Sequence, residues 1–437
     1  MRSNIKKTLA FVLRIESELV LLKYKPKIIA ITGSIGKTST KDAIYSSIKK
    51  NFYVRKSEKS FNSELGLPLT ILGLPNGWNS PYTWIKNLLK GFWLFLWPHK
   101  YPKWLVLEVG IGKPGDMKKT ALWLKTDAVV YTAIGETPVH IEFFDSRKHL
   151  VEEKMGLIKT LKNDGLLVLN ADDADIIKMR EKTKCRYITY GFSKEANISA
   201  SEEKIFYNED GKPKGIIFRV DDGGKSFPVI LEGVFGRNHI YSALATLALS
   251  SGMKWNVLQS ANELKNHEVP PGRMRLLEGI NNSFIIDDTY NSSPFASEMA
   301  LFTQGEIKAN GKKIAVLGDM LELGKHTEEA HKRIGEIASK IVDILVVVGR
   351  RAEKIKEGAK ESGMKDEGIF QFENSYEAGD FLKTAIQKGD VILIKGSQGM
   401  RMERIVEVIL APETSEGEKQ DKNKLLVRQD KEWLEKK

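Results

Sequence analysis

A single cysteine, Cys185, stands in 437 residues. That excludes an intramolecular disulfide framework and suits a reducing cytoplasm. Prolines are few and no short-period repeat is visible, while 41% hydrophobic and 29% charged residues match a globular chain rather than a disordered one. No apolar run is long enough to span a bilayer. Leu9 to Leu22 is broken by Arg14, Glu16 and Glu18 with no small-residue cleavage site after it, so no signal peptide is expected. The lysines behind the net charge of +11 are scattered, and no basic run alternates with stacking aromatics. Nucleic acid is therefore not expected as a partner; anionic small substrates or a membrane surface account for the excess equally well.

What is present centres on Lys27 to Thr40, K-I-I-A-I-T-G-S-I-G-K-T-S-T. The β-branched run Ile28 to Ile31 reads as a buried parallel strand. Gly33-Ser34-Ile35-Gly36-Lys37-Thr38-Ser39 breaks it, and helical spacing follows from Lys41. Strand, glycine turn and helix in that order are the setting of a phosphate-binding loop, where backbone N–H groups at a helix start hold phosphate oxygens. Lys37 would reach the β- and γ-phosphates and Thr38 would hold Mg²⁺. Ile31 occupies the position of the first glycine in the strict motif, so the strand–turn–helix context carries the reading.

The chain divides by composition. Residues 1–26 predict an N-terminal amphipathic helix ended by Pro26. Residues 27–270 alternate β-runs with helical patterns, the signature of an α/β fold with a mainly parallel sheet. Its predicted strands are 28–31, 104–109, 128–132 and 166–169, with irregular β material from 186 to 234 and a helix from 240 to 251. Pro270-Pro271-Gly272 marks a junction. A second α/β unit, 271–411, follows, with strands at 284–287, 313–317, 344–348 and 391–395. Residues 412–437 are charged, nearly free of core residues and expected to be mobile. An apolar insertion, 76–104, contains Trp84 to Trp97; it is either a buried helix or one that lies in a membrane interface, and 1–25 keeps the second reading open.

Several strand ends carry polar groups. Glu108 closes a strand where α/β sheets bind ligands, and beside a triphosphate it would serve Mg²⁺; otherwise it is a solvated glutamate. His140 reads first as a structural histidine and Lys154 as solvated surface. In the second unit, Asp287-Asp288-Thr289-Tyr290-Asn291, Gly318-Asp319-Met320-Leu321-Glu322 and Lys395-Gly396-Ser397 each end a strand. Three such ends in one sheet argue for a ligand crevice between the units.

The motifs G-S-I-G-K-T-S, N-S-E-L-G-L-P-L-T, H-I-E-F-F, L-N-A-D-D, P-P-G-R, D-D-T-Y-N-S-S-P, V-L-G-D-M-L-E-L-G and K-G-S-Q-G-M-R-M-E occur in one collinear order. From about Ile28 to Ile409 the chain resembles the Mur ligase family of ATP-dependent amide-forming enzymes. The resemblance is strongest to the branch that joins D-alanyl-D-alanine to UDP-N-acetylmuramoyl-tripeptide. It implies a P-loop central domain and a Rossmann-like α/β C-terminal domain, with ATP and Mg²⁺ as cofactors. It also implies a cytoplasmic peptidoglycan-synthesis enzyme, expected here to be a monomer; the apolar segments 1–25 and 84–97 add the inner membrane face as an expected location. By the resemblance Gly33, Ser34, Gly36, Lys37, Thr38 and Ser39 hold phosphates, and Thr38 and Glu108 serve one Mg²⁺. His140 takes a second Mg²⁺, and Lys154 matches a lysine that the family carbamylates. Asn62 falls in a substrate-side loop. Arg273, Asp288, Tyr290 and Asn291 meet ATP, and Asp319, Glu322, Lys395 and Ser397 line the acceptor side.

Three departures bear on these expectations. Only 32 residues precede Gly33, so the UDP-sugar domain of the branch is expected to be missing. Asn238-His239 inverts the family order and Ser242 replaces a common asparagine. Gln398 stands for a frequent arginine. The rival expectations are a related ligase for another carboxylate and amine pair, and a nucleotide-binding scaffold without catalysis.

Overall fold

The structure, a computed structural model, describes residues 3–58, 64–135, 141–265, 269–411, 425–429 and 433. The first α/β unit is a nine-stranded sheet in the order β2-β3-β1-β4-β5-β6-β7-β8-β9. Its strands are β1 (Lys27–Thr32), β2 (Val54–Lys56), β3 (Trp104–Glu108), β4 (Thr126–Tyr131), β5 (Leu161–Asn170), β6 (Arg186–Gly191), β7 (Ile198–Tyr207), β8 (Pro213–Asp222) and β9 (Lys225–Glu232). Pairing is parallel as far as β7 and antiparallel across β7, β8 and β9. The stretch expected to be irregular holds β6 and a three-stranded meander, β7 to β9, whose β7–β8 pairing is bulged in two places. Its β8–β9 turn places Gly223 and Gly224 at φ 55° and 90°, which two-residue hairpin turns require and glycine supplies without a Cβ clash. The three-residue edge strand β2 was too short to leave a periodic signal.

Pleating sends alternate residues of the central strands to opposite faces. Ile29, Ile31, Val106 and Val130 face α2 (Lys37–Ile48) and the helix Arg237–Gly252. Ile28, Ala30, Leu105, Leu107 and Val129 face α1 (Ser3–Tyr24), α3 (Gly66–Leu72) and part of α4 (Pro81–Leu96). The N-terminal helix is therefore one part of the layer that covers this face of the sheet.

The second unit is a six-stranded sheet, order β10-β11-β15-β12-β13-β14. It comprises β10 (Arg275–Gly279), β11 (Ser283–Asp288), β12 (Lys313–Gly318), β13 (Ile344–Val348), β14 (Ile369–Phe372) and β15 (Val391–Lys395). All pairings are parallel except β10 with β11. Within the stretch expected to be nearly free of core residues, residues 425–429 place Leu426 in this unit's core with Arg428 buried beside it. The local sequence is L-L-V-R, and its apolar residues find a cover only in the folded unit.

Between α1 and α4 lies Glu16, whose carboxyl is buried with Oε2 unpartnered among the described residues. It sits against Gly91, where a Cβ would come within 2.1 Å of Oε2. Burial pushes its pKa up to about 7. A carboxyl raised in the folded state stabilises below its unfolded pKa and loses that stability as pH rises through the folded value. Glu16→Gln should therefore matter little near pH 5 and stabilise by up to about 2 kcal/mol at pH 8. Thermal melts at the two pH values test this; equal differences at both would refute it.

Candidate active site

β1 lies between β3 and β4, so three parallel strand ends converge at one edge of the sheet. The glycine turn leaves β1 there. Gly33 has φ 145°, and a Cβ on it would come within 2.0 Å of Thr132 Oγ1. Ser34 N and Ile35 N donate to the carbonyl of Ala133, at 2.7 and 3.1 Å, which ties the loop to the end of β4. Gly36, at φ 82°, turns the chain into α2. The first-turn N–H groups of a helix have no acceptor within it, so those of Lys37, Thr38 and Ser39 form an anion site.

Around this loop stand the groups of the sequence reading. Thr38 Oγ1 donates to Glu108 Oε2 at 2.9 Å, and both residues are buried. Glu108 is thus not a solvated strand end. Lys37 Nζ donates to the Ser34 carbonyl at 3.4 Å. Burial lowers its pKa, with Glu108 opposing the shift and Arg273 adding to it.

Lys154, read by default as surface, is 2% exposed and donates to the Gly33 carbonyl at 3.2 Å. Its helix, Arg147–Met155, buries Leu150, Val151 and Lys154 on one face, so the lysine occupies an inward position. Burial holds its pKa well below the ordinary lysine value, and nearby Lys37 lowers it further.

The second unit reaches the same loop. Arg273 Nη2 donates to Thr38 Oγ1 at 3.4 Å, and its guanidinium lies 3.9 Å from the centre of the Tyr290 ring. Lys395 Nζ is paired with Asp288 Oδ2 at 2.5 Å and donates to the Asn291 carbonyl at 3.0 Å. Ser34, Arg273, Asp288, Asn291 and Lys395 line a gap of about 70 Å³ between the units. Ser34 Oγ and Arg273 Nε are both buried without a hydrogen-bond partner among the described residues. A bound phosphate would supply acceptors for both, so this donor set fits a nucleotide's phosphates. The adjacent Thr38 and Glu108 oxygens fit a hard divalent cation.

Other expected residues lie elsewhere. Asp319 Oδ1 accepts from Ala352 N at 2.8 Å, and Ser397 Oγ accepts from Leu321 N at 2.8 Å, so both hold loops at the ends of β12 and β15. Glu322 is exposed on the first of these loops, at φ 64°. Asn62 and His140 lie outside the described residues.

Sequence reading missed the lining of a larger cavity beside the loop, about 630 Å³, which includes Arg147, Asp172, Asp175 and Tyr241. Tyr241 donates to Asp172 at 2.9 Å and Arg147 pairs with Asp175 at 2.6 Å. The L-N-A-D-D motif and the departures at Asn238 and Ser242, which also line the cavity, were the signals pointing there.

Arg428 was missed outright. It donates to Glu403 Oε2 at 2.7 Å and to the carbonyls of Thr289 and Tyr290, which are next to the Arg273 contact. Arg428→Ala would leave Glu403 buried with only part of its pairing. About 3 kcal/mol of stability should be lost, and the KM for ATP should rise as the Tyr290 loop loosens. Melting curves and ATP titration test this; an unchanged melting temperature would overturn it.

A phosphate loop completed by a second α/β unit, with an inward lysine and a buried carboxylate beside it, defines a nucleotide-dependent group-transfer enzyme. Residues 31–250 match the Mur ligase middle domain and 272–398 the Mur ligase, glutamate ligase domain. The chain belongs to the Mur ligase family, and as such it is an ATP-binding ligase. It is 29% identical over 390 residues to the UDP-N-acetylmuramoyl-tripeptide–D-alanyl-D-alanine ligase of Bacillus subtilis, covering 88% of this chain and 76% of that protein. The Escherichia coli enzyme of the same name is 25% identical, over 88% of this chain and 76% of its own. The crystal structure of MurF ligase from Thermotoga maritima in complex with ADP superposes with a TM-score of 0.74 at 27% identity. That match covers 93% of this chain and 84% of the other.

Proposed function

We propose that this enzyme adds D-alanyl-D-alanine to the terminal carboxylate of UDP-N-acetylmuramoyl-tripeptide, with ATP as the energy source. The substrate carboxylate attacks the γ-phosphorus of ATP, giving an acyl phosphate and ADP. The dipeptide amine then attacks the acyl carbon and loses its proton, and phosphate leaves as the amide forms. Catalysis of such transfers is mostly positioning and charge neutralisation. Lys37, the N–H groups of α2 and Arg273 hold the phosphates from two sides. Thr38 and Glu108 would hold Mg²⁺, which when bound neutralises phosphate charge; His140 is the family's further ligand. Lys154 would act as a carbamate, formed when its neutral amine adds CO₂ and loses a proton. Asp288, Tyr290 and Asn291 serve the nucleotide side, while Asp319, Glu322, Lys395, Ser397 and Asn62 serve the peptide and acceptor side.

The observation that carries this reading is the meeting of Lys37, the Thr38–Glu108 pair, buried Lys154 and Arg273 at one loop. The names of the relatives supply the substrates. The test is phosphate release across a panel of UDP-muramoyl peptides and acceptor amines. Release should need both UDP-muramoyl-tripeptide and D-Ala-D-Ala; strong stimulation by another pair, with none by D-Ala-D-Ala, would reassign the substrate. We also propose that the enzyme works as a monomer in the cytoplasm, at the inner face of the membrane. The support for that location is the exposed apolar face of α4.

A further inference from the structure

The helix α4 carries large apolar residues on its exposed side as well as on its buried one. One side, with Trp84, Asn87 and Gly91, is buried against the first unit. The other carries Ile85, Leu89, Phe92, Trp93 and Leu96, with Trp97 just beyond, each 44 to 65% exposed. These recur at three- and four-residue steps, so they form one stripe along the helix. Trp93 and Trp97 stack on one another at 4.6 Å between ring centres and remain in solvent as a pair.

The helix cannot turn this stripe inward. Lys23 Nζ donates to the carbonyls of Leu94, Phe95 and Trp97, at 3.3, 2.6 and 2.7 Å, and Tyr24 OH to that of Leu94 at 3.0 Å. These bonds cap the C-terminal end of α4 and fix its rotation on α1. Ser80 caps the other end, accepting from Thr83 N at 3.2 Å.

Charge along this segment of the chain has one sign. Residues 65–107 contain no Asp or Glu and four lysines. Lys86 and Lys90 lie on α4 itself, exposed among the apolar side chains, and Lys100 is exposed just after it. No helix among the described residues is long and apolar enough to cross a membrane. A rigid helix with Trp, Phe and Leu outward and only lysines for charge has the chemistry of a helix that lies in the headgroup region of an anionic bilayer.

We propose that the α4 face seats this enzyme on an anionic lipid surface, with Phe92, Trp93, Leu96 and Trp97 entering the headgroup boundary and Lys86, Lys90 and Lys100 meeting lipid phosphates. This does not rest on the substrates proposed above. The stripe belongs to the face of the sheet covered by α1, whereas α2 and its phosphate loop start lie on the other face and at the strand ends. Seated enzyme therefore keeps its active site open.

The test is flotation of the full chain with vesicles of phosphatidylglycerol and phosphatidylcholine in equal parts, and with phosphatidylcholine alone. Binding is expected to the first and to be much weaker to the second, falling with added salt. Trp93→Asp with Leu89→Asp should weaken partitioning at least about tenfold, and Lys86→Glu with Lys90→Glu by about tenfold or more. All four positions are exposed, so melting temperature and turnover should stay unchanged. Absence of flotation with anionic vesicles would overturn the proposal. So would a concentration-dependent dimer, seen by sedimentation, that both aspartates abolish, because the stripe would then be the seat of a second copy. Failure of ligase activity alone would leave the flotation result standing, which keeps the two readings separable.

Discussion

Lys37→Ala should lower kcat by about a thousandfold or more, equivalent to about 4 kcal/mol of transition-state stabilisation. The lysine is the cation of the phosphate loop, and charge on the transferring phosphoryl group grows as the bond to ADP breaks. Its amine rests on the Ser34 carbonyl at 3.4 Å, a weak contact that phosphate oxygens would readily replace. Burial already lowers its pKa, so the folded protein gains little from this charge in the absence of nucleotide. The variant should accordingly melt within a degree or two of wild type while losing turnover. Phosphate release under saturating substrates, beside a melting curve, checks both halves. Activity within tenfold of wild type would remove Lys37 from the transfer step.

Lys154→Ala should cost at least about a hundredfold in kcat, and short carboxylic acids should return part of it. The reason lies in the depressed pKa. CO₂ adds to a neutral amine, and an ordinary lysine is almost wholly protonated at neutral pH. Burial and the positive charge of Lys37 both favour the neutral form of Lys154, which is the form that adds CO₂. A carbamate places an anion beside the Lys37 cation, a better electrostatic arrangement than a second cation there. Wild-type turnover should therefore rise with bicarbonate, and the alanine variant should not respond to it. If the lysine only holds the Gly33 carbonyl, loss of activity would come without rescue by acids and without any bicarbonate dependence.

Legibility in the sequence followed how local the causes were. The strand Ile28 to Ile31 and the glycine turn were readable because each residue's own chemistry, β-branched or Cβ-free, dictates its backbone. The Thr38–Glu108 pair could be anticipated, since both residues end adjacent parallel strands or begin the helix after one. Lys154 could not be distinguished from surface by its own segment; only its four-residue spacing from Leu150 hinted at an inward face. Arg428 carried no hint at all. A basic residue in a charged tail is ordinarily solvated, and its partners Glu403, Thr289 and Tyr290 are 25 to 139 residues away. The insertion 84–97 was read as either buried or interfacial because its sequence satisfies both. It packs one side and exposes the other, and hydrophobicity alone cannot say which neighbour is present.

By itself the sequence determined the α/β class, the phosphate loop and the membership of the Mur ligase family. Those depend on periodicity and on ordered motifs, which are written along the chain. Tertiary structure alone decided which charges are buried, in which direction their pKa values move, and that Arg273 crosses from the second unit to the first. Those depend on what comes close in space, and the low dielectric that gives Lys37 and Lys154 their altered chemistry exists only where the folded units exclude water.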